Sequence, residues 1–256
     1  MQFYTAGDVL QQEKGVDLTD PITIEPTTTI KEALSVMFRH DFTQLPVVVS
    51  GTVSGVVTFK SISRMLKSTP ESSIINNSVR GALVQPRYVN EGHDIFELFD
   101  TFAEDEYVLV GNENDLRGIM TRYDMFYFLQ SQFEPFIKIG EIEQSVRSIF
   151  RSSIDDIEGK IKDTFGPREE NDPSYSMPTS IDHFNFEEYK RFIRKNISDL
   201  PIQIKKEIDF VIDLLEQVRK SRNALFHFRA GISEIDREAI DVAHSYFTTL
   251  DTNSNK

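Results

Sequence analysis

The sequence predicts an α/β half followed by an all-α half, and two observations carry that expectation. The order β-α-β-β-α can be read twice in the first half, with one copy at about residues 20–68 and the other at about 82–130. Beyond Gln130 the apolar residues recur at helical spacing instead. The expected domains are therefore 1–131 and 132–250, with a polar tail at 251–256. A length of 256 residues suits two such domains.

Copy one opens with the extended run Ile22-Thr23-Ile24. After Pro26, Ile30, Ala33, Leu34 and Met37 fall at i, i+3, i+4, i+7 and predict a helix to Phe38. Leu45-Pro46-Val47-Val48-Val49 reads as a strand and Ser50-Gly51 as a turn. A second strand spans Val53 to Phe59, and a helix begins near Ser61. In copy two, Leu83-Val84 leads to a helix from Ile95 to Phe102 and a strand at Tyr107-Val108-Leu109-Val110. A turn at Gly111–Asp115, a strand from Leu116 to Met120 and a helix from Asp124 follow. The strand runs are almost wholly apolar, as expected where both faces are covered.

In the second half, helical spacing runs through Ile139, Ile142, Val146, Ile149, Ile154, Ile157 and Ile161. Gly166 to Phe184, with Pro167, Pro173 and Pro178, reads as a long loop. Asn185 and Glu188 form a helix-start signal for Phe186 to Arg194. Pro201 suits a first helical position, and Ile208, Val211, Leu215 and Val218 mark one face of a long helix ending near His227. A last helix is expected over 234–250.

Composition excludes several classes. The chain has no cysteine, so disulfides and thiolate metal sites are out. No apolar run approaches the ~18 residues of a membrane span. Met1-Gln2-Phe3-Tyr4 lacks the basic start of a signal peptide, so a cytoplasmic protein without membrane contact is expected. The net charge of −13 speaks against bulk attraction to nucleic acid, yet it is uneven. Residues 1–130 hold 10 Lys and Arg against 18 Asp and Glu, a balance of −8, whereas residues 185–229 hold 10 against 7, a balance of +3. Any affinity for a polyanion belongs to the second half.

The repeat is in register at its strand-to-helix junctions: Gly55-Val56-Val57-Thr58-Phe59-Lys60-Ser61 matches Gly118-Ile119-Met120-Thr121-Arg122-Tyr123-Asp124. Helix starts offer N–H groups to an anion, Thr58 and Thr121 can bond a phosphate or ribose oxygen, and Asp124 can accept from ribose hydroxyls. Pro46-Val47 and Tyr107-Val108 are candidate walls for a flat base. The same Thr, Ser and Asp can equally act as plain helix caps. Over residues 20–130 the chain resembles a pair of CBS domains, and the resemblance implies an adenine nucleotide or adenosyl compound as regulatory ligand. Thr58, Ser61, Val47, Val108, Thr121, Arg122 and Asp124 are the candidate binding residues. The chain departs from the basic pair that some such modules carry before the Leu-Pro-Val strand. Thr43-Gln44 and Asp105-Glu106 stand there, leaving Lys60, Arg64 and Arg122 as cations.

In Arg222-Asn223-Ala224-Leu225-Phe226-His227 a permanent cation and a titratable imidazole sit near one helix end. Arg222 can stabilise charge on a phosphodiester, His227 can move its protons, and Asn223 can orient either. This motif, with Ile139 to Arg147 as first helix, resembles the HEPN superfamily over about 134–250. The resemblance implies a metal-independent endoribonuclease acting on RNA, with no cofactor for catalysis. One Arg-His set supplies one acid or base, so a homodimer is expected. Arg219, Lys220 and Arg229 would guide the strand. Glu143 and Arg147 either reach the same cleft or form an ordinary i,i+4 pair. His40, His93, His183 and His244 lack ligand spacing, so no metal site is expected. The alternative is a noncatalytic nucleotide-sensing dimer whose helical domain binds RNA or a protein partner.

Overall fold

The computed structural model describes residues 4–14, 21–68, 74–172, 174–226 and 233–254. They form two compact units, divided between Gln130 and Ser131.

The first unit begins with a helix that the repeat does not predict, Ala6–Lys14 (α1). Thr5 and Asp8 close its start reciprocally: the Thr5 amide donates to Asp8 Oδ2 at 2.7 Å, and the Asp8 amide to Thr5 Oγ1 at 3.2 Å. Ala6, Val9 and Leu10 then bury in the core of copy two beside Ile95, Leu98 and Phe102.

Copy one consists of helix Ile30–His40 (α2), strands Gln44–Val49 (β1) and Thr52–Thr58 (β2), and helix Phe59–Ser68 (α3). Copy two has strand Tyr88–Val89 (β3), helix Leu98–Glu104 (α4), strands Tyr107–Asn112 (β4) and Asp115–Thr121 (β5), and the start of helix Arg122–Ser153 (α5). Both hairpins are antiparallel in one register: Gln44 faces Thr58, and Tyr107 faces Thr121. Each also carries a bulge at the same place, Val47/Val48 and Val110/Gly111. Gly111 has φ 111°, and a Cβ there would meet the Asp115 carbonyl oxygen at 2.1 Å, so copy two requires glycine where copy one has Val48. β3 pairs parallel with β4, and Ile24 makes the matching parallel bridge to Val47. A shared layer of Val53, Val56 and Leu109, flanked by Val84, Tyr88 and Ile119, joins the two sheets.

The second unit is helical: the rest of α5, then Ile157–Asn171 (α6), Phe186–Lys195 (α7), Ile202–Lys206 (α8), Ile208–Phe226 (α9) and Glu234–Ser254 (α10). Its core centres on Phe150, Phe165, Phe184, Tyr189 and Phe192, with ring centroids 5.0 Å apart for Phe150–Phe192 and 5.2 Å for Phe184–Phe192. The Asn185/Glu188 signal is a full capping box at the start of α7. Among the described residues no helix is long and apolar enough to cross a membrane.

In copy two the opening strand is Tyr88–Val89 and not Leu83-Val84, of which Val84 makes only an isolated bridge to Val56. In the second unit three further stretches differ from expectation. α6 continues through Gly166 and Pro167 to Asn171, where a loop is expected. Burial of Phe165 against Phe184 and Phe192 holds the helix across the donor that Pro167 lacks. The helix expected from Pro201 to His227 is two helices: Pro201 is the cap residue before α8, and Glu207, with φ −120°, separates it from α9. α10 runs to Ser254, so 251–254 of the expected tail are helical beyond the buried Leu250.

Pro135 lies within α5, and its ring nitrogen cannot donate to the Ser131 carbonyl one turn back. Arg237 Nη1, from α10, donates to that carbonyl at 2.9 Å.

Candidate functional site

α6, α7 and the end of α9 border a groove of about 850 Å³ in the second unit. The spacing of α7 explains its charge. Phe186, Tyr189, Phe192 and Ile193 bury one face, which turns Lys190, Arg191 and Arg194 toward the groove. Lys195 joins them from α7, Arg168 from α6, and Arg219 and Arg222 from α9, against two lining carboxylates, Glu187 and Glu188.

Part of this charge is compensated. Arg219 binds Glu216 through Nε at 2.9 Å and Nη2 at 2.7 Å, and Lys190 reaches both Glu216 and Glu187. The Arg219 hydrogen bonds, helped by Lys190 and opposed by burial, hold the Glu216 carboxyl down at about 2. Arg191, Arg194 and Lys195 are exposed and make no ion pair among the described residues, so they dominate the field at the groove mouth.

Arg222 and Asn223 line the groove. Arg222 Nε lies 3.8 Å from Glu143 Oε1, and Glu143 Oε2 accepts from Arg147 Nη2 at 2.7 Å. Arg147 Nε donates in turn to the Tyr189 hydroxyl at 2.6 Å. Burial pushes the Tyr189 phenol up to about 12, so it stays neutral and its O–H donates a hydrogen bond to the Ile181 carbonyl at 3.4 Å. Glu143 and Arg147 thus form the i,i+4 pair, and Glu143 also faces Arg222, but neither lines the groove. His227 and Arg229 lie outside the described residues. Lys220 is exposed but does not line the groove. Among the described residues no group of three or more His, Asp or Glu could hold a metal.

The first unit has a smaller cleft of about 200 Å³. Thr58, Lys60, Ser61 and Arg64 line one side, and Arg87 and Glu104–Tyr107 the other. The Thr58 amide donates to Ser61 Oγ at 2.9 Å, and the Ser61 amide to Thr58 Oγ1 at 3.0 Å. Copy two repeats the lock: the Thr121 amide and hydroxyl donate to Asp124 Oδ2 at 2.6 and 2.7 Å. These pairs cap their helices, and Asp124 keeps Oδ1 for any further donor.

The expected walls need correction. Val47 and Val108 are fully buried in the cores of their own copies, because the middle of each strand is covered on both faces and only its end reaches the cleft. Tyr107, the other residue of the second expected wall, does line the cleft. Burial, with Asp105 and Glu106 nearby, pushes its phenol up to about 12. Thr121, Arg122 and Asp124 do not line this cleft, and Arg122 is exposed. Arg87 is a cleft cation that sequence reading misses, since it lies in the aperiodic link between copies. It binds Glu104 at 3.4 Å and Asp105 at 3.1 Å, which offsets the acidic run.

Residues 14–68 match the family model of the CBS domain, so the first unit contains a CBS domain. The chain is 26% identical over 112 residues to the zinc metalloprotease MJ0392 of Methanocaldococcus jannaschii. That match covers 44% of this chain and 30% of the metalloprotease, so the chain spans under a third of that relative. Among solved structures, a putative signal-transduction protein with CBS domains from Burkholderia ambifaria MC40-6 is 19% identical, with TM-score 0.45, over 50% of this chain and 94% of that one. CBSX2, determined in complex with AMP, is 21% identical, with TM-score 0.40, over 50% and 97%.

Proposed function

We propose that the chain is a metal-independent endoribonuclease whose CBS pair senses an adenosine-type ligand. The observation that carries this reading is the basic groove on an otherwise acidic chain, lined by the Arg222 and Asn223 that the resemblance to HEPN domains singles out. Phosphates of an RNA strand enter along Arg191, Arg194 and Lys195, which steer a polyanion. Arg222 neutralises the phosphate at which charge builds. The ribose 2′-oxygen attacks that phosphorus, and the bond to the 5′-oxygen breaks. His227 accepts the proton from the hydroxyl in one subunit, and its counterpart in a second copy returns one to the leaving oxygen. The Glu143–Arg147–Tyr189 chain holds the Arg222 head in place.

The ligand reading rests on the first cleft and on the CBS resemblance. A ribose suits the Thr58/Ser61 junction, an adenine suits Tyr107, and Lys60, Arg64 and Arg87 suit one phosphate. Glu104 and Glu106 disfavour a polyphosphate. Ligand controls cleavage by binding two dimer arrangements with different affinity.

The test is incubation of the full chain with single-stranded RNA and a chelator. Wild type cleaves, and His227→Ala loses cleavage while still binding. One observation favours the noncatalytic alternative: Arg222 already faces a carboxylate, Glu143, as a structural arginine would. Bound but intact RNA under every ligand condition would establish that alternative.

A further inference from the structure

We infer that the groove takes its RNA as a single strand, and that Arg168, held over the ring of Tyr175, is the platform on which one base stacks. The inference rests on the RNA reading of the groove and specifies its substrate. Arg168 Cζ lies 4.0 Å from the centroid of the Tyr175 ring, a close cation–π stack. The ring is fixed from below. It packs against the core of the unit, and its hydroxyl donates to Glu188 Oε1 at 3.2 Å. Glu188 is itself buried and held by its capping box with Asn185.

Arg168 is exposed, and among the described residues no carboxylate lies within ion-pair distance of it. Tyr175 therefore holds the guanidinium at the groove lining, and the exposed side of Arg168 can meet a flat group there. Arg219, by contrast, spends its planar fork on Glu216. Guanidinium planes and aromatic rings stack bases that have left a helix, whereas duplex bases cover one another. A groove with phosphate-seeking cations along α7 and one stacked Arg-Tyr platform thus distinguishes a strand with accessible bases from a duplex.

The experiment measures binding of the full chain to three probes of equal length, all 2′-O-methylated to block cleavage. They are a single-stranded oligoadenosine, the same backbone without bases, and a duplex. Wild type is expected to bind the base-bearing strand roughly tenfold tighter than the base-free one, the scale of one stacked base. Arg168→Lys keeps the charge and should bind both strands as wild type binds the base-free one; Tyr175→Ala should behave alike. Arg191→Glu should weaken all three probes together. Equal wild-type affinity for the base-bearing and base-free strands, or a preference retained by Arg168→Lys, overturns the platform while leaving the RNA reading intact. Failure of wild type to bind any probe overturns both.

Discussion

Arg237 supplies to the Ser131 carbonyl, at 2.9 Å, the hydrogen bond that Pro135 cannot make within its own helix. A bulky cationic side chain of α10 thereby repairs a defect in α5. Arg237→Ala should cost about 1–3 kcal/mol, the scale of one hydrogen bond from a charged donor. Pro135→Ala restores an amide one turn on and should recover most of the loss in the double variant. Urea denaturation of all four chains checks the coupling, and strictly additive effects would contradict it.

Glu143 is the residue through which Arg222 is steadied, its carboxylate shared between Arg147 at 2.7 Å and Arg222 at 3.8 Å. Glu143→Gln keeps the shape but removes the charge. Cleavage should fall roughly tenfold, equivalent to about 1.4 kcal/mol of transition-state stabilisation, with RNA affinity unchanged or slightly higher. Single-turnover rates beside binding isotherms separate these effects. A loss of affinity with unchanged rate would assign Glu143 to the fold alone.

Glu216 titrates at about 2 in the folded chain, against an ordinary 4.5. A carboxyl lowered by folding adds stability that is complete above pH ~4.5 and drains away as pH falls toward ~2. Wild type should therefore lose more of its melting temperature between about pH 5 and pH 3 than Glu216→Gln, which lacks this group. At neutral pH the variant should be the less stable of the two. Parallel melting curves at all pH values would show that the Lys190–Glu216–Arg219 network adds no stability on folding.

Arg87 neutralises Glu104 and Asp105 at the mouth of the first cleft. Without it, those carboxylates face any bound phosphate. Arg87→Ala should weaken AMP binding about tenfold and leave adenosine unchanged, because only the phosphate meets the exposed acids. Titration calorimetry with both ligands reads the difference. Equal losses would place the phosphate elsewhere.

The sequence exposes the features that occur twice. The Thr58/Ser61 and Thr121/Asp124 junctions are legible because each copy checks the other, and β1 with β2 shares its register with β4 and β5. α1 and β3 are not legible: the first has too short an apolar pattern, and the second is two residues that pair only after the chain folds back. Val47 and Val108 look like ligand walls because an apolar run does not reveal which faces are covered. The basic groove is half legible. Arg222 and Asn223 stand in one motif, whereas Arg168 and Tyr175 come together across a stretch expected as loop.

The central claim is that this chain cleaves RNA through Arg222 and His227 without metal. The most direct measurement is identification of the RNA ends formed by the full chain in chelator. Attack by the 2′-oxygen predicts 2′,3′-cyclic phosphate and 5′-hydroxyl ends, with neither formed by Arg222→Ala or His227→Ala. Ends bearing a 5′-phosphate, strict dependence on added metal, or unchanged cleavage by either variant would contradict it.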